Sequence, residues 1–520
     1  MGSEVKPGRG LKSWAQRHLN AGFAAGFLLV LLTYLIFSQQ FAISAPNAVT
    51  RKSARAADKQ VIKAPGGTVN EDDRIEVNML ERVNRVSNDR LYKEGERKRE
   101  QEWQPKETEV PVPHKETSGA VPTESPKRDA TDAKPSETGK VVCSKNGPYS
   151  DTCDVDGDVR TNGTALSVTL VPASWSERHE WKIRPYTRRF MTGIQEVTVT
   201  QLGSPQEDAP QCTITHDVPA VLFALGGLTG NYWHDFSDVL VPLFVASRRY
   251  GGELQFLVSN IQPWWLGKYE AIVRRLSKYD AVDLDRDKQV RCFRHVTVGL
   301  RMHKELSIVP EWAPGGHRLS MADFTRFLRE TYALPREAPL SLRQFPDKKP
   351  RLLLIHRAHY RRFVNVPEIM QAAASAGFEV AVANPRGDAP VDEIARQVNS
   401  YDVLLGVHGA GLTNALFLPA GAVVIQVVPY GKLEDMARKD FGEPVADMGL
   451  RYLEYSVAAE ESTLLEMLGP EHPVIKDPES VHRSGWDKVA EFYLGKQDVR
   501  IDINRFAPTL AQALDHLRHQ

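Results

Sequence analysis

The sequence lacks a surplus of charge of either sign: its 520 residues include 66 lysines and arginines and 66 aspartates and glutamates. Nucleic-acid-binding proteins carry a basic excess on the binding surface, so the composition offers no electrostatic argument for a nucleic-acid partner, and none is predicted. Cysteine is scarce as well, with four residues. The chain is too long for one compact core, and two globular units with additional segments are expected.

Charged residues are absent between Arg17 and Arg51. Within that window residues 21–37, AGFAAGFLLVLLTYLIF, are apolar enough to span a membrane, and the following SQQFAI extends the run across the interface. Four basic residues precede the run and favour a cytosolic N-terminus, although others follow it closely. A signal peptide cleaved near Ala42 and Ser44 is the alternative. The long run and its leader favour an uncleaved signal anchor, which predicts a type II membrane protein with its bulk in the secretory lumen.

Aromatic residues and hydrophobic periodicity are scarce from residue 44 to residue 140, where the chain is charged and dotted with proline. Such a composition cannot bury a core and predicts a flexible stem. A short helix with weak coiled-coil character is a further expectation for residues 72–103.

The four cysteines and a single sequon fit a luminal location. An even number of cysteines in an oxidising compartment permits two disulfides, and four thiols allow three connectivities. Cys143 with Cys153 would close a short loop and leave Cys212 with Cys292, with free buried thiols as the alternative for the second pair. The sequon NGT predicts N-glycosylation at Asn162.

Apolar strands and amphipathic helices alternate regularly from about residue 351. The predicted strands are RLLLIHR, FEVAVAN, YDVLLGVHG and AVVIQVVP, and the intervening helices are VPEIMQAAASAG, PVDEIARQVNS and LTNALFL. This alternation predicts a parallel, doubly wound sheet. In the first half, AVLFALGG and GELQFLVSN predict buried strands, and WHDFSDVLVPLFVASRRY predicts a helix. SMADFTRFLRETYAL predicts a further helix, with Ser320 as its cap and Asp323 three residues on.

We therefore predict an α/β protein with two Rossmann-like domains that face a cleft. The predicted boundaries are a cytosolic tail at 1–20, a transmembrane signal anchor at 21–43, a flexible stem at 44–140, an N-terminal domain at 141–345, a C-terminal domain at 346–495 and a C-terminal helix at 496–520.

A glycine-containing loop follows the predicted strand YDVLLGVHG. Ligands of parallel sheets bind at the carboxyl ends of the strands, glycines let backbone N–H groups approach an anion, and a helix N-terminus favours negative charge. A tight strand-to-helix connection that needs glycine for packing is the alternative. The predicted anion-binding residues of this segment are His408, Gly409, Ala410, Gly411, Thr413 and Asn414.

The segment IHRAHYRRFVN follows the first strand of the same half and places Arg357, Arg361 and Asn365 at the same rim of the sheet. If this segment is helical, Arg357 and Arg361 lie one turn apart and both reach a diphosphate. Solvated surface arginines are the alternative. Convergence of the two arginines with the glycine loop favours an anion site.

Three segments together resemble glycosyltransferase family 61: IHRAHYRRFVN, GVHGAGLTNALFLPAGAVVIQV and GNYWHDFSDVLVPLF. QPWWLGKY, RCFRHVTVGL, MGLRYLEYSV and GWDKV are similar to its plant branch, which decorates xylan. The resemblance covers roughly residues 141–515. Residues Arg357, Arg361 and Asn365 match the family's arginine-rich motif, and the loop from His408 to Asn414 matches its second motif.

The resemblance implies a Golgi type II enzyme of the two-domain GT-B fold, with an acceptor-side N-terminal domain and a C-terminal domain that binds a nucleotide sugar. It also implies a UDP-linked donor and inversion at the anomeric carbon. Direct displacement with inversion needs a base for the acceptor hydroxyl and positive groups for the departing diphosphate.

The segment YWHDFSD offers three candidates for the base. His234 and Asp238 share one face of a helix, so the carboxylate orients the imidazole or acts as the base itself. Acids that only favour the helix dipole are the alternative, and this interpretation is preferred for Asp235. We predict His234 and Asp238 as the catalytic residues.

Tryptophans and acidic triplets complete the candidates. Trp233, Trp264 and Trp265 are suited to stack on acceptor sugars, with at least one of the adjacent pair expected in the core. The acidic runs at 154–158 and 283–287 have the Asp-x-Asp spacing of Mn²⁺ sites. The first run is also not a calcium-binding loop, because it lacks the glycine and the glutamate that such a loop requires. Both are interpreted as surface turns, and no metal is expected.

The sequence thus predicts a Golgi inverting glycosyltransferase that transfers arabinofuranose or xylose from a UDP-sugar to xylan. A catalytically silent carbohydrate-binding or assembly partner in a Golgi complex is one alternative, and a protein O-glycosyltransferase is another. The expected partners are a xylan acceptor and the Golgi membrane, and a homo- or hetero-oligomer is compatible with the sequence.

Overall fold

The computed structural model describes residues 139–146, 149–316, 318–384 and 389–520. The predicted cytosolic tail, signal anchor and coiled-coil segment, and all but the last two residues of the predicted stem, lie outside these ranges. In the part of the chain that is described, no helix combines the length and the apolar character that a bilayer crossing requires.

Ten strands form a mixed sheet in the first half of the described chain. Their bounds are β1 Lys140–Asn146, β2 Ser150–Asn162, β3 Ser167–Val171, β4 His179–Ile183, β5 Val197–Gln201, β6 Ile214–Thr215, β7 Ala220–Ala224, β8 Gln255–Ser259, β9 Val282–Asp283 and β10 Val290–Val298. The spatial order is β4-β5-β3-β2-β10-β7-β8-β9, with β1 beside β2 and β6 beside β10.

Only part of this first sheet is parallel. Strands β10, β7, β8 and β9 run parallel, as expected for a Rossmann-like unit. β2 is antiparallel to β1, β3 and β10, and β4 is antiparallel to β5. The prediction of a parallel, doubly wound first half was therefore incomplete, because the half-exposed strands before residue 172 carry too few apolar residues to be recognised as apolar runs.

The acidic run at 154–158 is one part of a strand that was not recognised from the sequence. It lies inside β2, where Val155 and Val159 are buried and Asp154, Asp156 and Asp158 are exposed. The interpretation as a surface turn was wrong because alternation of buried and exposed residues with period two indicates a strand. The run at 283–287 does enter a turn after β9.

Five strands form an all-parallel sheet in the second half. Their bounds are β11 Arg351–Ile355, β12 Glu379–Ala383, β13 Val403–Val407, β14 Val423–Val428 and β15 Arg451–Ser456. The order β12-β11-β13-β14-β15 is that of flavodoxin-like sheets, in which the direction of strand addition reverses between the first and third strands. The predicted parallel sheet is confirmed here, with β15 as an additional strand.

Helices connect the strands. The α-helices are α1 Tyr232–His234, α2 Val241–Ser247, α3 Pro263–Lys268, α4 Glu270–Leu276, α5 Met321–Thr331, α6 Val366–Ala376, α7 Val391–Asn399, α8 Glu434–Ala437, α9 Glu443–Asp447, α10 Thr463–Leu468, α11 Pro473–Lys476, α12 Pro478–Arg483, α13 Trp486–Val489 and α14 Ile503–Arg518. The π-helical segments are Asp235–Leu240, Arg438–Gly442 and Ala490–Leu494. The 3₁₀ segments are Arg248–Tyr250, Pro310–Trp312, Pro314–Gly316, Ala410–Phe417 and Ala459–Glu461.

Local signals account for several of these boundaries. Ser320 and Asp323 form a reciprocal capping box at the start of α5, as predicted. The segment LTNALFL, predicted as a helix, lies within the 3₁₀ helix Ala410–Phe417. α14 ends the chain and begins after Asp502, whose side chain accepts hydrogen bonds from the N–H groups of Asn504 and Arg505.

The hydrophobic core runs through both halves. Phe236 and Tyr332 from the first half pack edge-on against Phe417 from the second, with ring centroids 6.1 and 6.0 Å apart. The second sheet is covered on both faces, because alternate residues such as Leu353 and Leu354 belong to different buried clusters. This explains the continuous apolar runs of its strands.

All four cysteines are joined in disulfides. Cys143 pairs with Cys153 between β1 and β2, and Cys212 pairs with Cys292 over a separation of 80 residues. Asn162, at the end of β2, is half-buried, and its side-chain oxygen accepts a hydrogen bond from the N–H of Ala165 at 3.2 Å.

Candidate active site

The two motifs of the second half emerge side by side. β11 ends at Ile355 and β13 at Val407, and the strands are direct parallel neighbours, with Ile355 opposite Gly406. The segment that contains Arg357 and Arg361 therefore leaves the sheet beside the His408 loop. This position is the reversal point of the strand order, where open parallel sheets bind their ligands.

The arginine segment is not helical. α6 begins only at Val366, so the expectation that Arg357 and Arg361 lie one helical turn apart was wrong. Arg361 has φ +60°, a left-handed conformation that is uncommon outside glycine and is concentrated at functional sites. Pro367, the second residue of α6, has no N–H and its ring would clash with the carbonyl four residues earlier, so the helix does not extend back through the arginine segment.

The two arginines nevertheless converge on the glycine loop. Arg361 Nη1 donates to the carbonyl of His408 at 2.9 Å. A Cβ atom at Gly409 would lie 2.7 Å from Arg357 Nη1 and 3.0 Å from Arg361 Nη1. Gly409 has φ +136° and ψ −179°, a combination that is essentially restricted to glycine. The loop thus brings its backbone within contact distance of two guanidinium groups.

His408 is a neutral hydrogen-bonding residue in this site. Burial, followed by the positive charges of Arg361 and Arg357, lowers the pKa of His408 to about 3. Gln426 Nε2 donates to His408 Nδ1 at 2.7 Å, and the Tyr452 hydroxyl donates to Gln426 Oε1 at 3.0 Å. The imidazole proton therefore resides on Nε2, which lies 3.8 Å from the Asp440 carboxylate.

The start of the 3₁₀ helix contains buried polar atoms that fit a ligand. Thr413 and Asn414 are almost fully buried, and Thr413 Oγ1 and Asn414 Oδ1 have no hydrogen-bond partner among the described residues. Asn414 Nδ2 donates to the carbonyl of Gly411 at 2.9 Å and tightens the loop. Buried polar atoms without partners are rare in proteins, so these two indicate a polar ligand or bound water at the loop.

Asn365 has a different role from the one predicted. Its Nδ2 donates to Glu368 Oε2 and to the carbonyl of Ile501, both at 2.9 Å, and its Oδ1 accepts from the N–H of Ile501 at 3.0 Å. These bonds attach the chain before α14 to the start of α6. We therefore assign Asn365 to structural support and no longer place it in the anion site.

In the first half, His234 is oriented by Asp238. His234 Nδ1 lies 3.0 Å from Asp238 Oδ2, one helical turn along the π-helical segment. Asp238 is fully buried and also accepts from Tyr186 and from Arg188, which binds both carboxylate oxygens at 2.8 and 2.9 Å. With Nδ1 bound to a carboxylate, His234 has Nε2 to accept a proton.

The charge of Asp238 is held by Arg188. Burial alone would raise the pKa of Asp238, but the positive charge of Arg188 and the hydrogen bonds from Arg188 and His234 prevail and keep this pKa well below its usual value. Arg188 also binds Glu305 through Nη2 at 2.7 Å. Because both oxygens of Asp238 are engaged, the carboxylate is arranged to orient His234, and the imidazole is the candidate for the base.

Asp235 joins separate segments through buried hydrogen bonds, a structural role that differs from the helix-dipole contact predicted for it. It is fully buried and accepts hydrogen bonds from the N–H of Gly230, from Trp265 Nε1 and from the Tyr269 hydroxyl, each at 2.8 Å. Burial raises the pKa of Asp235. Its hydrogen bonds attach α3 and α4 to the loop that precedes His234.

Asp440 links the two groups of residues. Its Oδ2 faces His408, and its backbone carbonyl accepts from Trp233 Nε1 at 3.4 Å. Burial and the negative charge of Glu305 raise the pKa of Asp440 to about 8, against the opposing charges of Arg188 and Lys439. Asp440 lies in a π-helical segment, a feature that is frequent at functional sites.

The residues that sequence reasoning missed are Tyr186, Arg188, Glu305, Gln426 and Asp440. Arg188 lies in RPYTRRF, an irregular segment between β4 and β5. The density of arginines in that segment was the available signal, since it resembles the arginine-rich run after β11. Asp440 and Glu305 occur in ordinary charged stretches, and only long-range packing brings them to the site.

The acidic residues once considered for metal binding have other partners. Asp156 accepts from His295 and Asp154 from Thr297, both at 2.7 Å, and Asp158 pairs with Arg160. Asp285 accepts from the N–H of Ile261, and Asp287 pairs with Arg291. Among the described residues, one metal-type grouping joins Asp158 with Cys212 and Cys292, whose sulfurs form a disulfide.

The three tryptophans have separate environments. Trp265 is fully buried, which confirms the expectation that one of the adjacent pair belongs to the core. Trp264 is 50% exposed. Trp233 packs edge-on against His234 with ring centroids 4.8 Å apart, and Arg188 lies over its ring. Trp233 therefore offers aromatic surface beside the candidate base, and Trp264 lies against Gly230 in the loop before it.

Comparison with known proteins agrees with this arrangement. The profile of the family described as Glycosyltransferase 61 matches residues 232–425, a range that contains both the His234 and the His408 segments. Beta-1,2-xylosyltransferase XYXT1 of Oryza sativa subsp. japonica is 48% identical over a 390-residue alignment, which covers 71% of this chain and 83% of the relative.

Two further relatives are similar over comparable lengths. Alpha-1,3-arabinosyltransferase XAT3 of Oryza sativa subsp. japonica is 44% identical over 383 residues, 73% of this chain and 66% of the relative. Xylan glycosyltransferase MUCI21 of Arabidopsis thaliana is 34% identical over a 401-residue alignment, which covers 72% of this chain and 79% of the relative. The chain therefore belongs to glycosyltransferase family 61 and is a glycosyltransferase.

Proposed function

We propose that this protein is an inverting glycosyltransferase that transfers a pentose, arabinofuranose or xylose, from a UDP-sugar to xylan. The observation that carries the proposal is the convergence of Arg357 and Arg361 on Gly409 at the reversal point of a parallel sheet. The relatives' names, which include a xylosyltransferase, an arabinosyltransferase and a xylan glycosyltransferase, support the sugar and the acceptor.

The second half supplies the groups that bind the donor diphosphate. Arg357 and Arg361 contribute two positive charges beside a loop whose following 3₁₀ helix presents backbone N–H groups without intrahelical acceptors. These groups stabilise the negative charge that develops on the departing diphosphate. His408 adds a neutral Nε2–H donor, because it remains uncharged at physiological pH.

The first half supplies the base. In this proposal His234 Nε2 accepts the proton of the attacking acceptor hydroxyl, and Asp238 stabilises the imidazolium that results. The shared contacts of Asp440 with Trp233 and with His408 indicate that base and diphosphate site belong to one centre. Inversion follows if the hydroxyl attacks opposite to the diphosphate.

The finer features of fold and location are part of the same proposal. We assign the two halves to a GT-B arrangement, with the acceptor on the side of residues 141–345 and the nucleotide sugar on the side of residues 346–495. Two disulfides and the sequon at Asn162 are compatible with a luminal location. With the apolar run at 21–43 they support a single-pass type II protein of the Golgi membrane. A homo- or hetero-oligomer is compatible with this proposal.

A donor panel tests the proposal. The purified protein is incubated with xylan oligosaccharides and each of several UDP-sugars, UDP release is measured, and products are analysed by mass and linkage. We expect release with UDP-arabinofuranose or UDP-xylose and a pentosylated xylan product of inverted configuration. Binding of xylan oligosaccharides without turnover of any UDP-sugar would instead indicate a silent assembly partner, and transfer to peptides would indicate a protein glycosyltransferase.

The same assay tests the metal independence that the arginine pair permits. We expect activity to remain largely intact in EDTA, because positive side chains carry out the charge stabilisation that Mn²⁺ provides in metal-dependent transferases. Complete loss of activity in EDTA, restored by Mn²⁺, would overturn this part of the proposal.

A further inference from the structure

A cavity of about 720 Å³ is lined by residues of both halves and falls within the range of volumes that bind ligands of several rings. One wall is formed by α3, α4 and the end of α5, and the other by the start of α7. The lining residues used below are Trp264, Lys268, Glu270, Tyr332, Asp392 and Arg396.

The cavity lies at the rim of both sheets. α3 follows β8 and α7 follows β12, so each wall begins where a parallel strand ends. Asp235, which directly follows His234, holds the first wall through Trp265 and Tyr269. Trp264 covers Gly230 in the loop before His234, with its ring 3.5 Å from the position of an added Cβ. One wall of the cavity is therefore attached to the segment that carries the proposed base.

Two side chains of the cavity carry groups that a sugar would contact, an exposed aromatic face and a hydroxyl without a described partner. Trp264 exposes half of its side chain, and aromatic faces of this kind pack on the apolar faces of flat rings. Tyr332 is 7% exposed, and its hydroxyl has no hydrogen-bond partner among the described residues. A buried hydroxyl without a partner is unfavourable, so a ligand hydroxyl that pairs with it would add to binding.

The charges of the cavity balance. Lys268 and Arg396 are offset by Glu270 and Asp392. Arg396 pairs with Asp392 one helical turn away, and Lys268 lies 3.9 Å from Asp235 and over the Tyr232 ring. A nucleotide diphosphate would require an excess of positive charge, which the Arg357–Arg361 site has and this cavity lacks. The chemistry fits a neutral ligand that is rich in hydroxyl groups.

We propose that this cavity binds sugar units of the xylan acceptor chain next to the unit that receives the pentose. This inference rests on the proposed function, since it names the same acceptor. It assigns to Trp264 and Tyr332 the contacts that only longer acceptor chains make. These contacts are separate from the donor site at the glycine loop.

The test compares long and short acceptors. KM values for xylohexaose and xylobiose are measured for the full-length protein and for Trp264→Ala and Tyr332→Phe, and xylohexaose binding is measured by calorimetry without donor. We expect KM and the dissociation constant for xylohexaose to rise roughly 10-fold in Trp264→Ala and roughly 3-fold in Tyr332→Phe, as for the loss of one stacking contact or one hydrogen bond. The KM for xylobiose should rise much less.

Two controls separate binding from folding. Tyr332→Phe removes a hydroxyl that has no described partner, so its melting temperature should not fall although its acceptor affinity does. Trp175→Ala alters an equally large but 81% exposed tryptophan between β3 and β4, away from the cavity, and should match the wild type in every assay.

The outcomes distinguish this inference from the proposed function. Wild-type transfer to xylan with unchanged xylohexaose KM and binding in both cavity variants would overturn the cavity assignment alone. A wild-type protein that neither binds nor glycosylates xylan would overturn the proposed function, and the named ligand of the cavity with it.

Discussion

Gly409 has both a conformation and an environment that exclude a side chain. Its backbone angles are essentially restricted to glycine, and the two arginines lie where a Cβ would be. The glycine of this loop is thus required for the approach of the guanidinium groups as well as for the turn. Packing of the connection, the alternative considered from the sequence, does not account for the arginine contacts.

We predict that Gly409→Ala weakens UDP binding by roughly 10-fold or more. The added methyl group must displace the two guanidinium groups, and each hydrogen bond to a charged group contributes about 1.5–3 kcal/mol. Calorimetry with UDP measures the effect. The matched control is Gly469→Ala, because Gly469 has similar angles, φ +81° and ψ 160°, and no atom within 4 Å of the added carbon. Equal UDP affinity in both variants would show that the arginines do not bind the diphosphate.

His234 has the position of a base, with one nitrogen bound by a buried carboxylate. We predict that His234→Ala lowers kcat by about 10²–10⁴-fold, the usual contribution of a general base, whereas UDP affinity in calorimetry stays within a few-fold. His519→Ala, which alters an exposed histidine at the end of the chain, serves as the control. A parallel loss of UDP binding would remove His234 from the role of base.

Asp238 should behave as a positioning residue. Asp238→Asn keeps the shape of the side chain but removes the charge that stabilises protonated His234, and Arg188 keeps Glu305 as its counter-charge. We expect lower kcat with retained UDP affinity, as for His234→Ala.

At the scale of elements, the two disulfides stabilise different lengths of chain. The Cys143–Cys153 bond joins paired residues of neighbouring strands across 10 positions, and Cys212–Cys292 attaches the segment before β6 to β10 across 80. A cross-link restricts the unfolded chain more when the loop that it closes is longer.

We therefore predict that the double substitution Cys212→Ser with Cys292→Ser lowers the free energy of unfolding by about 2 kcal/mol more than Cys143→Ser with Cys153→Ser, from the logarithm of the loop lengths. Denaturant unfolding of the three proteins measures the difference. Equal losses would mean that native contacts around the bonds outweigh the effect of loop length.

At the scale of the whole molecule, the two halves share a core and a site. Phe417 packs against Phe236 and Tyr332, and Asp440 reaches both His408 and Trp233. The side chain of Asp440 is only 26% exposed, so the ionisation of its carboxyl group is tied to the packing of both halves. A change in its charge should register in the stability of the described fold.

We predict that Asp440 makes the protein less stable as pH rises from about 4 to about 8. Its pKa is raised from 3.8 to about 8 in the folded state, so across this window the folded protein holds a proton that the unfolded chain has lost. The melting temperature of the wild type should fall relative to that of Asp440→Asn as pH increases through the window. If the melting temperatures of the wild type and of Asp440→Asn changed equally with pH, the raised pKa of Asp440 would be contradicted.

Much of the second half was readable from local pattern. The apolar runs of β11, β13 and β14 predicted buried parallel strands because each is covered on both faces, and the topology then determined that Arg357 and His408 leave the sheet at one rim. The conformation of the arginine segment was not readable. Its sequence allowed a helix, and the irregular path depends on contacts such as that of the Arg361 N–H with the carbonyl of Gln497.

The first half was less predictable. The exposed face of β2 carries three aspartates, which obscured a strand of 13 residues. Arg188 meets Asp238 across 50 positions, and Trp233 meets Asp440 across 207. No local pattern specifies such pairs, since they depend on how separate elements pack.

The sequence by itself determined the parallel second sheet, the glycine loop, the arginine run and the pairing of His234 with Asp238, because short-range periodicity and spacing set these features. Only the tertiary structure decided that Arg188 holds Asp238 ionised, that Asn365 supports α6, and that Asp440 contacts both Trp233 and His408. The physical reason is that burial and long-range contacts set the charge state and partners of a side chain, and both arise only when distant segments pack together.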